Sequence, residues 1–575
     1  MSTTSDAPRT LRTVGRLIAD ALGEAGVEWA FTVPGESFLG LLDALPAAGI
    51  NVLATRHEGG AAFMAEAAAQ LTGRPAACLG TRAVGAANLS IGIHTARQNS
   101  TPVVALVGQV RREFRGREAF QEVEQAGSFG RLAKWAAEID DPATAAQLVG
   151  EGLRAMISGR PGPVLVALPE DVLDEPTDVP LPDVVPVRLP APDVDRVKHL
   201  LDLLQGADRP LILAGGGVLR ARASDRLVRL AEALSVPVMA GWRRPDVFPN
   251  DHRLYLGMTG YGSASTVLPR LLEADALLVL GCRLSEPASF GYRVPGPDTT
   301  WAHVDLEPRA VERAGLRQAD VALAADAGDF IETGLELLAA GGSAAPSSDR
   351  LQRVSDDRQA YLAASELTAP AEWNGPGVHP GRVVATLQKV LPRDAVLTTD
   401  AGNFGLWPAR GYRFSQPRTF LGPTSGAMGY GLPAAIAASL CAPGRTVVAM
   451  CGDGGFVMTM SELETAVRSG ARPVVLVFDN RRYGTISMHQ QREGRADVAT
   501  ELGPIDFAAL ARACGAQGGR VTRDSEFEPA LRDALAADRP AVIHLELDPR
   551  WVSPDYFATP ETARPPATRS IASAP

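Results

Sequence analysis

The sequence predicts an α/β protein made of several doubly wound parallel sheets. Short apolar runs, such as residues 103–107, 276–280 and 474–478, lack polar alternation, which is typical of strands buried on both faces. Longer stretches rich in alanine and leucine separate these runs and supply the crossover helices. Because the runs are spread over 575 residues, we expect three doubly wound domains rather than one large sheet.

The remaining elements follow in order along the chain. Other buried runs occur at residues 164–168, 211–214, 395–399 and 446–450. A proline-rich stretch at 172–193 indicates an extended linker, and small residues after 340 lead through a helix-like segment to 381. The expected divisions are an N-terminal domain at 10–171, a central Rossmann-like domain at 193–340, a C-terminal domain at 376–550 and an extended or disordered tail at 551–575.

Composition and charge exclude several functional classes. Lys and Arg number 56 against 66 Asp and Glu, and the net charge of −10 repels nucleic acid and acidic membrane surfaces. The longest apolar runs have about five residues, far below the ~20 that span a bilayer. The five cysteines lie far apart, so neither a thiolate zinc site nor a disulfide framework is expected. With a polar start that lacks a secretory signal, the chain is expected to act in the cytoplasm.

One candidate site follows two strands of the C-terminal block. Gly452, Asp453, Gly454 and Gly455 come directly after a buried run and before a helix, so backbone N–H groups can face an anion there. The next run ends at Asn480, at the same sheet edge as Asp453. Carboxylate, amide and carbonyl oxygens suit Mg²⁺ and a bridged diphosphate. The alternative is that Asp-Gly forms an ordinary turn.

A second candidate site lies in the N-terminal block, in RHEGGAAFMA at residues 56–65. Glu58 follows the end of a strand and begins an alanine-rich helix, where a carboxylate is also favoured simply by the helix dipole. Glu66, two turns later, is interpreted as a solvated helix residue.

These motifs resemble the thiamine diphosphate enzymes. The GDG segment at 452–454 followed by Asn480 matches their signature, and the resemblance implies that Asp453, Asn480 and the backbone carbonyl of Arg482 bind Mg²⁺. The segment around Glu58 resembles RHExxAA of the same family. It implies that Glu58 hydrogen-bonds N1′ of the aminopyrimidine and promotes the tautomer that removes the thiazolium C2 proton.

Further cofactor contacts are implied by the same resemblance. The segment GAMGYGLP at 426–433 resembles the family's GxMGxGLPAA, which makes Met428 the support under the bent cofactor and Gly426 the carbonyl acceptor for its 4′-amino group. Asn403 is expected to approach the diphosphate. The implied contacts near the diphosphate also include Gly452, Gly454, Gly455, Tyr483 and Gly484.

Within the family, the chain is most similar to the acetolactate synthase large subunits. The motifs at 33–35, 56–58, 108–110 and 119–122 follow their pattern. The resemblance places Phe120 and Gln121 towards the substrate and implies a catalytic role for Gln121. Lys134 stands where that group has a lysine. Glu36 is a second catalytic candidate, because decarboxylases of the family carry an acidic proton relay at this position.

The sequence also departs from that group. Its arginine for the carboxylate of the acceptor keto acid is replaced by Pro287, and its downstream tryptophan by His489. Its GPG loop is replaced by Ala83-Val84-Gly85, with Arg82 beside it. Loss of a bidentate clamp weakens carboxylate binding unless another cation, such as Arg82, takes its place.

The predicted function is therefore a thiamine diphosphate- and Mg²⁺-dependent decarboxylation of a 2-oxo acid, followed by carboligation of the acyl group to a second carbonyl. The alternatives are a non-ligating decarboxylase, a flavin-coupled oxidase and, outside enzymes, a non-catalytic regulatory homologue. The glycine triplet at 215–217 leaves FAD binding open, since a tight strand-to-helix turn explains it equally well. The resemblance implies that each site is shared by two subunits, so a homodimer is the minimum and a homotetramer the larger alternative.

Overall fold

A computed structural model describes residues 11–185, 189, 191–308, 316–341, 345–367 and 375–557. This part of the chain divides into two compact units. Unit 1 comprises residues up to 190 together with 423–444 and 464–471, and unit 2 comprises the intervening and following residues. The chain therefore enters unit 1 three times, and residues from the C-terminal third complete the N-terminal unit.

Unit 1 is built on a six-stranded parallel sheet in the order β3-β2-β4-β5-β7-β6, beside a small antiparallel pair, β1 with β8. The strands of the first third are β1 (Arg12–Thr13), β2 (Trp29–Thr32), β3 (Asn51–Ala54), β4 (Ala76–Gly80), β5 (Val103–Gln109), β6 (Trp135–Glu138), β7 (Val164–Pro169) and β8 (Pro176–Thr177). Its helices are α1 (Val14–Glu24), α2 (Leu39–Ala47), α3 (Glu58–Thr72), α4 (Arg82–Asn99), α5 (Gln125–Phe129), α6 (Ala145–Ile157) and α7 (Glu170–Leu173), with short 3₁₀ turns at Glu36–Phe38, Arg112–Phe114 and Gly130–Leu132.

The first sheet of unit 2 has six parallel strands in the order β11-β10-β9-β12-β13-β14. Its strands are β9 (Pro210–Ala214), β10 (Val238–Ala240), β11 (Tyr255–Met258), β12 (Ala276–Leu280), β13 (Thr300–Asp305) and β14 (Val321–Ala324). The helices of this region are α8 (Val194–Gly206), α9 (Gly216–Arg220), α10 (Ser224–Leu234), α11 (Val267–Leu272), α12 (Ala327–Gly341) and α13 (Ser348–Ser365), with a 3₁₀ turn at Pro245–Val247.

The second sheet of unit 2 has six parallel strands in the order β16-β15-β17-β18-β20-β19, and a short antiparallel pair, β21 with β22, follows it. The strands are β15 (Val396–Thr399), β16 (Phe420–Leu421), β17 (Val447–Gly452), β18 (Val474–Asp479), β19 (Gln517–Val521), β20 (Ala541–Glu546), β21 (Trp551–Ser553) and β22 (Tyr556–Phe557). The helices of the C-terminal third are α14 (Pro380–Val390), α15 (Leu406–Gly411), α16 (Gly431–Cys441), α17 (Asp453–Thr459), α18 (Glu462–Ser469), α19 (Gly484–Arg492), α20 (Phe507–Ala513) and α21 (Asp524–Ala536), with a 3₁₀ turn at Asn403–Gly405.

The three sheets confirm the predicted fold class. Counting each sheet's strands along the chain, the first and third sheets share the order 2-1-3-4-6-5, whereas the middle sheet has 3-2-1-4-5-6, the order typical of dinucleotide-binding folds. Each predicted buried run forms a strand, and most of these strands are buried along their whole length. No local pattern in the sequence indicated that the first and third sheets repeat one connectivity.

The first predicted break contains more structure than expected, and the helix-like segment of the second break is α13. Within 172–193, α7 ends at Leu173 and β8 pairs with the chain start. The second break contains α13, whose buried Arg350 donates to the carbonyls of Leu204 and Leu234 at the ends of α8 and α10. This helix is therefore bound to its own unit rather than acting as a spacer.

The beginning of the predicted tail is also ordered into strands. Residues 551–557 form the hairpin β21–β22, and Trp551 packs edge-on against His379, with ring centroids 4.4 Å apart. The rest of the predicted tail, 558–575, lies outside the described residues. The predicted domain limits themselves stay a prediction.

Helices α3 and α4 of unit 1 pack unusually closely. Alanines line α3, and a Cβ added at Gly92 of α4 would lie 2.2 Å from the Cβ of Ala62. Small residues allow this approach, which fixes the spacing of the two helices.

Among the described residues, none of the helices is both long and apolar enough to span a bilayer.

Candidate active site

Asp453 of unit 2 lies where strand β17 turns into helix α17. Its Oδ1 accepts a hydrogen bond from the N–H of Gly454 at 2.9 Å, whereas Oδ2 is buried without a partner among the described residues. Burial, with a further contribution from the neighbouring carboxylate of Asp479, raises the pKa of Asp453 to about 7, against the opposing effect of the Gly454 N–H. A carboxylate in this setting is stabilised by a cation placed at Oδ2.

The end of strand β18 brings the second set of oxygens to this edge. Asp479 is buried and its Oδ2 lies 2.8 Å from Nε2 of His544. Burial opposes ionisation of Asp479, but the hydrogen bond and charge of His544 outweigh it and lower its pKa. Asn480 follows, with its Oδ1 accepting from the N–H of Arg482 at 3.2 Å. Asp479 is thus already engaged by His544, which leaves the Asn480 side chain for a ligand.

Asn403 joins the same cluster from the turn after β15. Its Oδ1 accepts from the hydroxyl of Thr485, and its buried Nδ2 has no partner among the described residues. A Cβ added at Gly484 would lie 2.9 Å from Nδ2 of Asn480 and 3.5 Å from Nδ2 of Asn403. The two amides therefore both approach Gly484, where a larger residue would displace the Asn480 amide.

Tyr483 covers the GDG turn from the other side. A Cβ added at Gly454 would meet its ring at 2.7 Å, and its N–H donates to the carbonyl of Thr500 at 2.8 Å. Gly455 is buried in the first turn of α17. The structure thus brings together all the residues of unit 2 that the sequence assigned to the diphosphate and the metal.

This donor set fits a magnesium-bridged diphosphate. One unpartnered carboxylate oxygen, an amide oxygen and the carbonyl of Arg482 are hard ligands of the kind that Mg²⁺ takes. The unpartnered Nδ2 of Asn403 is a donor suited to a phosphate oxygen. The assignment of the metal and diphosphate to these atoms stays a prediction.

Glu58 of unit 1 is the first residue of α3 and is 7% exposed. His57 caps the helix by accepting from the N–H of Gly59 at 2.9 Å, which fixes the position of the first turn. The Oε2 of Glu58 accepts from Nδ2 of Asn88 on α4 at 2.8 Å. A Cβ at Gly85 would lie 3.5 Å from Oε1, so the start of α4 passes close to the carboxylate.

The segment at 423–430, which precedes α16, belongs to the same unit as Glu58. Gly426 and Gly429 have φ of +73° and +82°, a conformation that favours glycine. Met428 between them is half-buried. Unit 1 therefore holds every predicted contact to the pyrimidine side of the cofactor, and unit 2 holds every predicted contact to its diphosphate.

Comparisons with known proteins find three matching regions along this chain. Residues 12–128 match the thiamine pyrophosphate enzyme N-terminal TPP binding domain, 197–333 the central domain and 400–545 the C-terminal TPP binding domain. The chain belongs to the thiamine pyrophosphate enzymes. Thiamine pyrophosphate is another name for thiamine diphosphate, so the predicted family and the thiamine diphosphate part of the cofactor prediction are confirmed.

The curated relatives of this thiamine pyrophosphate enzyme include several acetolactate synthases. It is 32% identical to the probable acetolactate synthase large subunit of Methanocaldococcus jannaschii, over 93% of this chain and 92% of the relative. It is 31% identical to the acetolactate synthase isozyme 2 large subunit of Escherichia coli, over 92% and 95%. It is also 31% identical to the putative thiamine pyrophosphate-containing protein YdaP of Bacillus subtilis, over 92% and 91%.

Arg82 of this thiamine pyrophosphate enzyme is the first residue of α4, beside the Ala83-Val84-Gly85 segment that replaces the GPG loop of the acetolactate synthase group, and its side chain contacts two carboxylates. Its guanidinium lies 3.0 Å from Glu36 and 3.0 Å from Glu170. Glu36 is mostly exposed and Glu170 is half-buried. The guanidinium also lies 5.8 Å from the ring centroid of the exposed Phe120. Glu36, predicted as a proton relay, is therefore ion-paired to Arg82.

Gln121 has an unusual backbone conformation, and Lys134 is hydrogen-bonded to the backbone. Gln121 has a φ of +61°, and its Oε1 is buried without a hydrogen-bond partner among the described residues. Such a conformation in a non-glycine residue is uncommon and marks a constrained site. Lys134 donates to the carbonyl of Ser158 at 2.6 Å. A substrate role for Gln121 stays a prediction.

The interpretation of Glu66 as a solvated residue was wrong. Its side chain is fully buried and accepts hydrogen bonds from Asn99, Thr101 and Tyr430. Sequence reasoning also missed Asn88, which orients Glu58, and His544, which engages Asp479. No local motif signals these partners, because each comes from a distant part of the chain.

Proposed function

We propose that this protein is a thiamine diphosphate- and Mg²⁺-dependent enzyme that decarboxylates a 2-oxo acid and transfers the acyl group to a second carbonyl. One observation carries the proposal: a chain similar to acetolactate synthase large subunits over more than nine-tenths of its length retains both Glu58 and the Asp453–Asn480 oxygens. The presence of both sets opposes the reading as a non-catalytic homologue.

The residues of unit 2 would hold the charged end of the cofactor. Asp453 Oδ2, Asn480 Oδ1 and the carbonyl of Arg482 would bind Mg²⁺, and the N–H groups at the start of α17 would face phosphate oxygens. Nδ2 of Asn403 would donate to the same phosphate. His544 would support this set by holding the carboxylate of Asp479 through its Nε2.

Unit 1 would provide the acid–base group. Thiamine diphosphate, when bound, supplies the carbanion that attacks the 2-oxo acid and takes up the electrons of the leaving carboxylate. Glu58 would hold a proton against the ring nitrogen of the aminopyrimidine, with Asn88 fixing the carboxylate in place. The carbonyl of Gly426 would accept from the amino group, and Met428 would support the bent cofactor.

Recognition of the acceptor differs from the relatives' pattern in this proposal. Pro287, which stands where the relatives have an arginine, carries no charge. Arg82, beside the Ala83-Val84-Gly85 segment, is a cation that could take the place of that arginine. Because Arg82 already contacts Glu36 and Glu170, a substrate carboxylate would compete with the more exposed Glu36 for it. In this proposal Glu36, once released from Arg82, and Gln121 would both contact the substrate.

The proposed active form is a homodimer in which each site takes unit 1 from one subunit and unit 2 from the other. Glu58→Gln and Asp453→Asn should each be inactive alone. After the two proteins are unfolded and refolded together, about a quarter of the wild-type specific activity should return, because half of the dimers then contain one intact site. No recovery would place both halves in one subunit. Light scattering separates the dimer from a tetramer.

FAD and cellular location complete the proposal. Gly217 and Gly215 pack so closely on Gly281 and Cys282 that the glycine triplet needs no ligand to explain it, although the middle sheet has a dinucleotide-type strand order. Flavin absorbance of the purified protein decides this point. The five cysteines lie far apart in the sequence and form no CxxC motif, which supports the cytoplasm as the location.

The decisive experiment measures CO₂ release from a panel of 2-oxo acids with thiamine diphosphate and Mg²⁺, with products identified by mass spectrometry. Release that collapses in Glu58→Gln, together with a ligated product, supports the proposal. Release with only an aldehyde product would identify a non-ligating decarboxylase. No release from protein shown to bind the cofactor would refute the proposed reaction for that panel.

A further inference from the structure

The beginning of the cofactor-supporting segment at 423–430 is anchored to helix α4. Thr424 donates to Oδ1 of Asn99 through its backbone N–H at 3.0 Å and through its hydroxyl at 2.6 Å. The hydroxyl of Ser425 lies 2.9 Å from that of Thr95, one turn earlier on α4. These contacts fix the segment just before Gly426.

The end of the segment is anchored to helix α3. The hydroxyl of Tyr430 donates to Oε2 of Glu66 at 2.5 Å, and the Tyr430 ring packs edge-on against Phe63. The other carboxylate oxygen, Oε1, accepts from Asn99 at 2.8 Å and from Thr101 at 2.7 Å. Asn99 therefore connects the two anchors, since it contacts both Thr424 and Glu66.

The chemistry of these groups makes the anchor rigid. A buried carboxylate whose two oxygens both accept hydrogen bonds, as in Glu66, holds its donors at fixed distances from one another. The segment between the anchors contains two glycines with positive φ, and its backbone alone would be free to adopt many conformations. The side-chain contacts at its two ends select one of them.

We propose that Glu66 is a positioning residue that, with Asn99 and Tyr430, sets Gly426 and Met428 at the correct distance from Glu58. Glu58 and Glu66 both lie on helix α3. The helix that carries the acid–base carboxylate therefore also holds the segment in place. The inference rests on the proposed function, because it assumes that Gly426 and Met428 contact the pyrimidine side of thiamine diphosphate.

The test compares two probes in wild type and in Tyr430→Phe, which keeps the ring and removes only the hydroxyl. Calorimetry measures the Kd of magnesium thiamine diphosphate and that of magnesium pyrophosphate, which lacks the thiamine part. We expect the first Kd to rise about tenfold and the second to change by less than about twofold, because only the thiamine part meets the segment. We also expect kcat to fall while KM for the 2-oxo acid stays unchanged.

Thr101→Val is the matched control. It removes a hydrogen bond to the same carboxylate from a donor that lies outside the segment, so it should lower the melting temperature without changing the ratio of the two Kd values. If Tyr430→Phe fails to fold, Ser425→Ala tests the other anchor, with an expected rise of about threefold in the first Kd alone.

The outcomes separate the two proposals. A wild-type protein that binds neither probe would refute the proposed function, and the positioning role with it. A wild-type protein that binds both probes and releases CO₂, with unchanged Kd ratio and kcat in a folded variant, would refute the positioning role alone. Equal shifts of both Kd values would show that the anchor is merely structural.

Discussion

Glu58 and Glu66 lie on the same helix, two turns apart, and both are largely buried, yet their surroundings differ. Glu58 has a hydrogen bond to Asn88 on one oxygen, and the described residues place no hydrogen-bond partner on the other. Glu66 accepts hydrogen bonds on both oxygens from three side chains. A carboxylate with an uncommitted oxygen can act on a ligand, whereas one whose oxygens are both engaged holds the structure.

The same difference separates the polar groups of unit 2. Asp453 has one unpartnered, buried oxygen, and Asp479 is engaged by His544. Each unit therefore contains one carboxylate with an oxygen that lacks a hydrogen-bond partner among the described residues, and one carboxylate that is hydrogen-bonded to other side chains. Hydrogen-bond commitment distinguishes the roles better than burial, because all four carboxylates are buried.

The largest expected effect comes from Glu58→Gln. Loss of the acid–base carboxylate should lower kcat for decarboxylation about 10²- to 10⁴-fold, with the melting temperature unchanged because only one hydrogen bond is altered. Steady-state CO₂ release and thermal unfolding measure the two quantities. Activity within threefold of wild type would remove the distinction between the two glutamates.

Glu66→Ala should show the opposite pattern, with stability affected first. The substitution leaves three buried donors without their acceptor, and we expect a loss of about 3–5 kcal/mol in the free energy of unfolding. Urea unfolding of the cofactor-free protein measures this loss. Glu58→Ala is the control and should lose less than about 1 kcal/mol, so equal losses would contradict the comparison.

His379 of unit 2 is a buried side chain that is expected to be neutral at pH 7. Burial, with a contribution from the Arg382 charge, lowers the pKa of His379 to about 4. The unfolded chain binds the proton first, so stability should fall as the pH drops from about 6.5 towards 4, by about 2 kcal/mol between pH 7 and pH 5.

Urea unfolding of wild type and His379→Asn at pH 7 and pH 5 checks this expectation. Asparagine keeps a side-chain oxygen that can cap α14 in place of the imidazole, which accepts from Gly381. The variant should lose that part of the pH dependence while the other titrating groups contribute equally to both proteins. An identical pH dependence in the two proteins would contradict the lowered pKa.

The smallest effects should come from the two asparagines of α4. Asn99→Ala should lower stability by about 1–2 kcal/mol, because Glu66 and Thr424 both lose a partner. Asn88→Ala should leave stability within about 0.5 kcal/mol and lower kcat several-fold, because Glu58 loses its orientation. Unfolding and kinetics of both variants would show whether each asparagine follows the glutamate that it contacts.

Much of the fold follows from local sequence patterns. Buried apolar runs such as β12 and β18 are set by their own composition, and the ends of β17 and β18 place Asp453 and Asn480 at one sheet edge. Glu58 was identified by a motif beside a strand end. The strand predictions succeeded because each rests on residues close together in the chain, whereas the role of Glu58 stays a prediction.

The environment of Glu66 could not be predicted in the same way. Its partners Asn99 and Tyr430 lie 33 and 364 residues away, so no periodicity or motif connects them. An alanine-rich helix with one glutamate also looks like a solvated helix until its neighbours are known. The role of α13 was hidden for the same reason, because Arg350 bonds carbonyls 116 and 146 residues away.

The contact between Gly92 and Ala62 has a genetic consequence. Since a Cβ at Gly92 would lie 2.2 Å from Ala62, a single added methyl group must push α3 and α4 apart, although neither residue bears any reactive group. We expect a protein with such a substitution to be less stable than the wild type, so that it would fold at low temperature and unfold on warming. A search for temperature-sensitive mutants of this gene should therefore find them along this helix contact, at a distance from the chemistry that they disable.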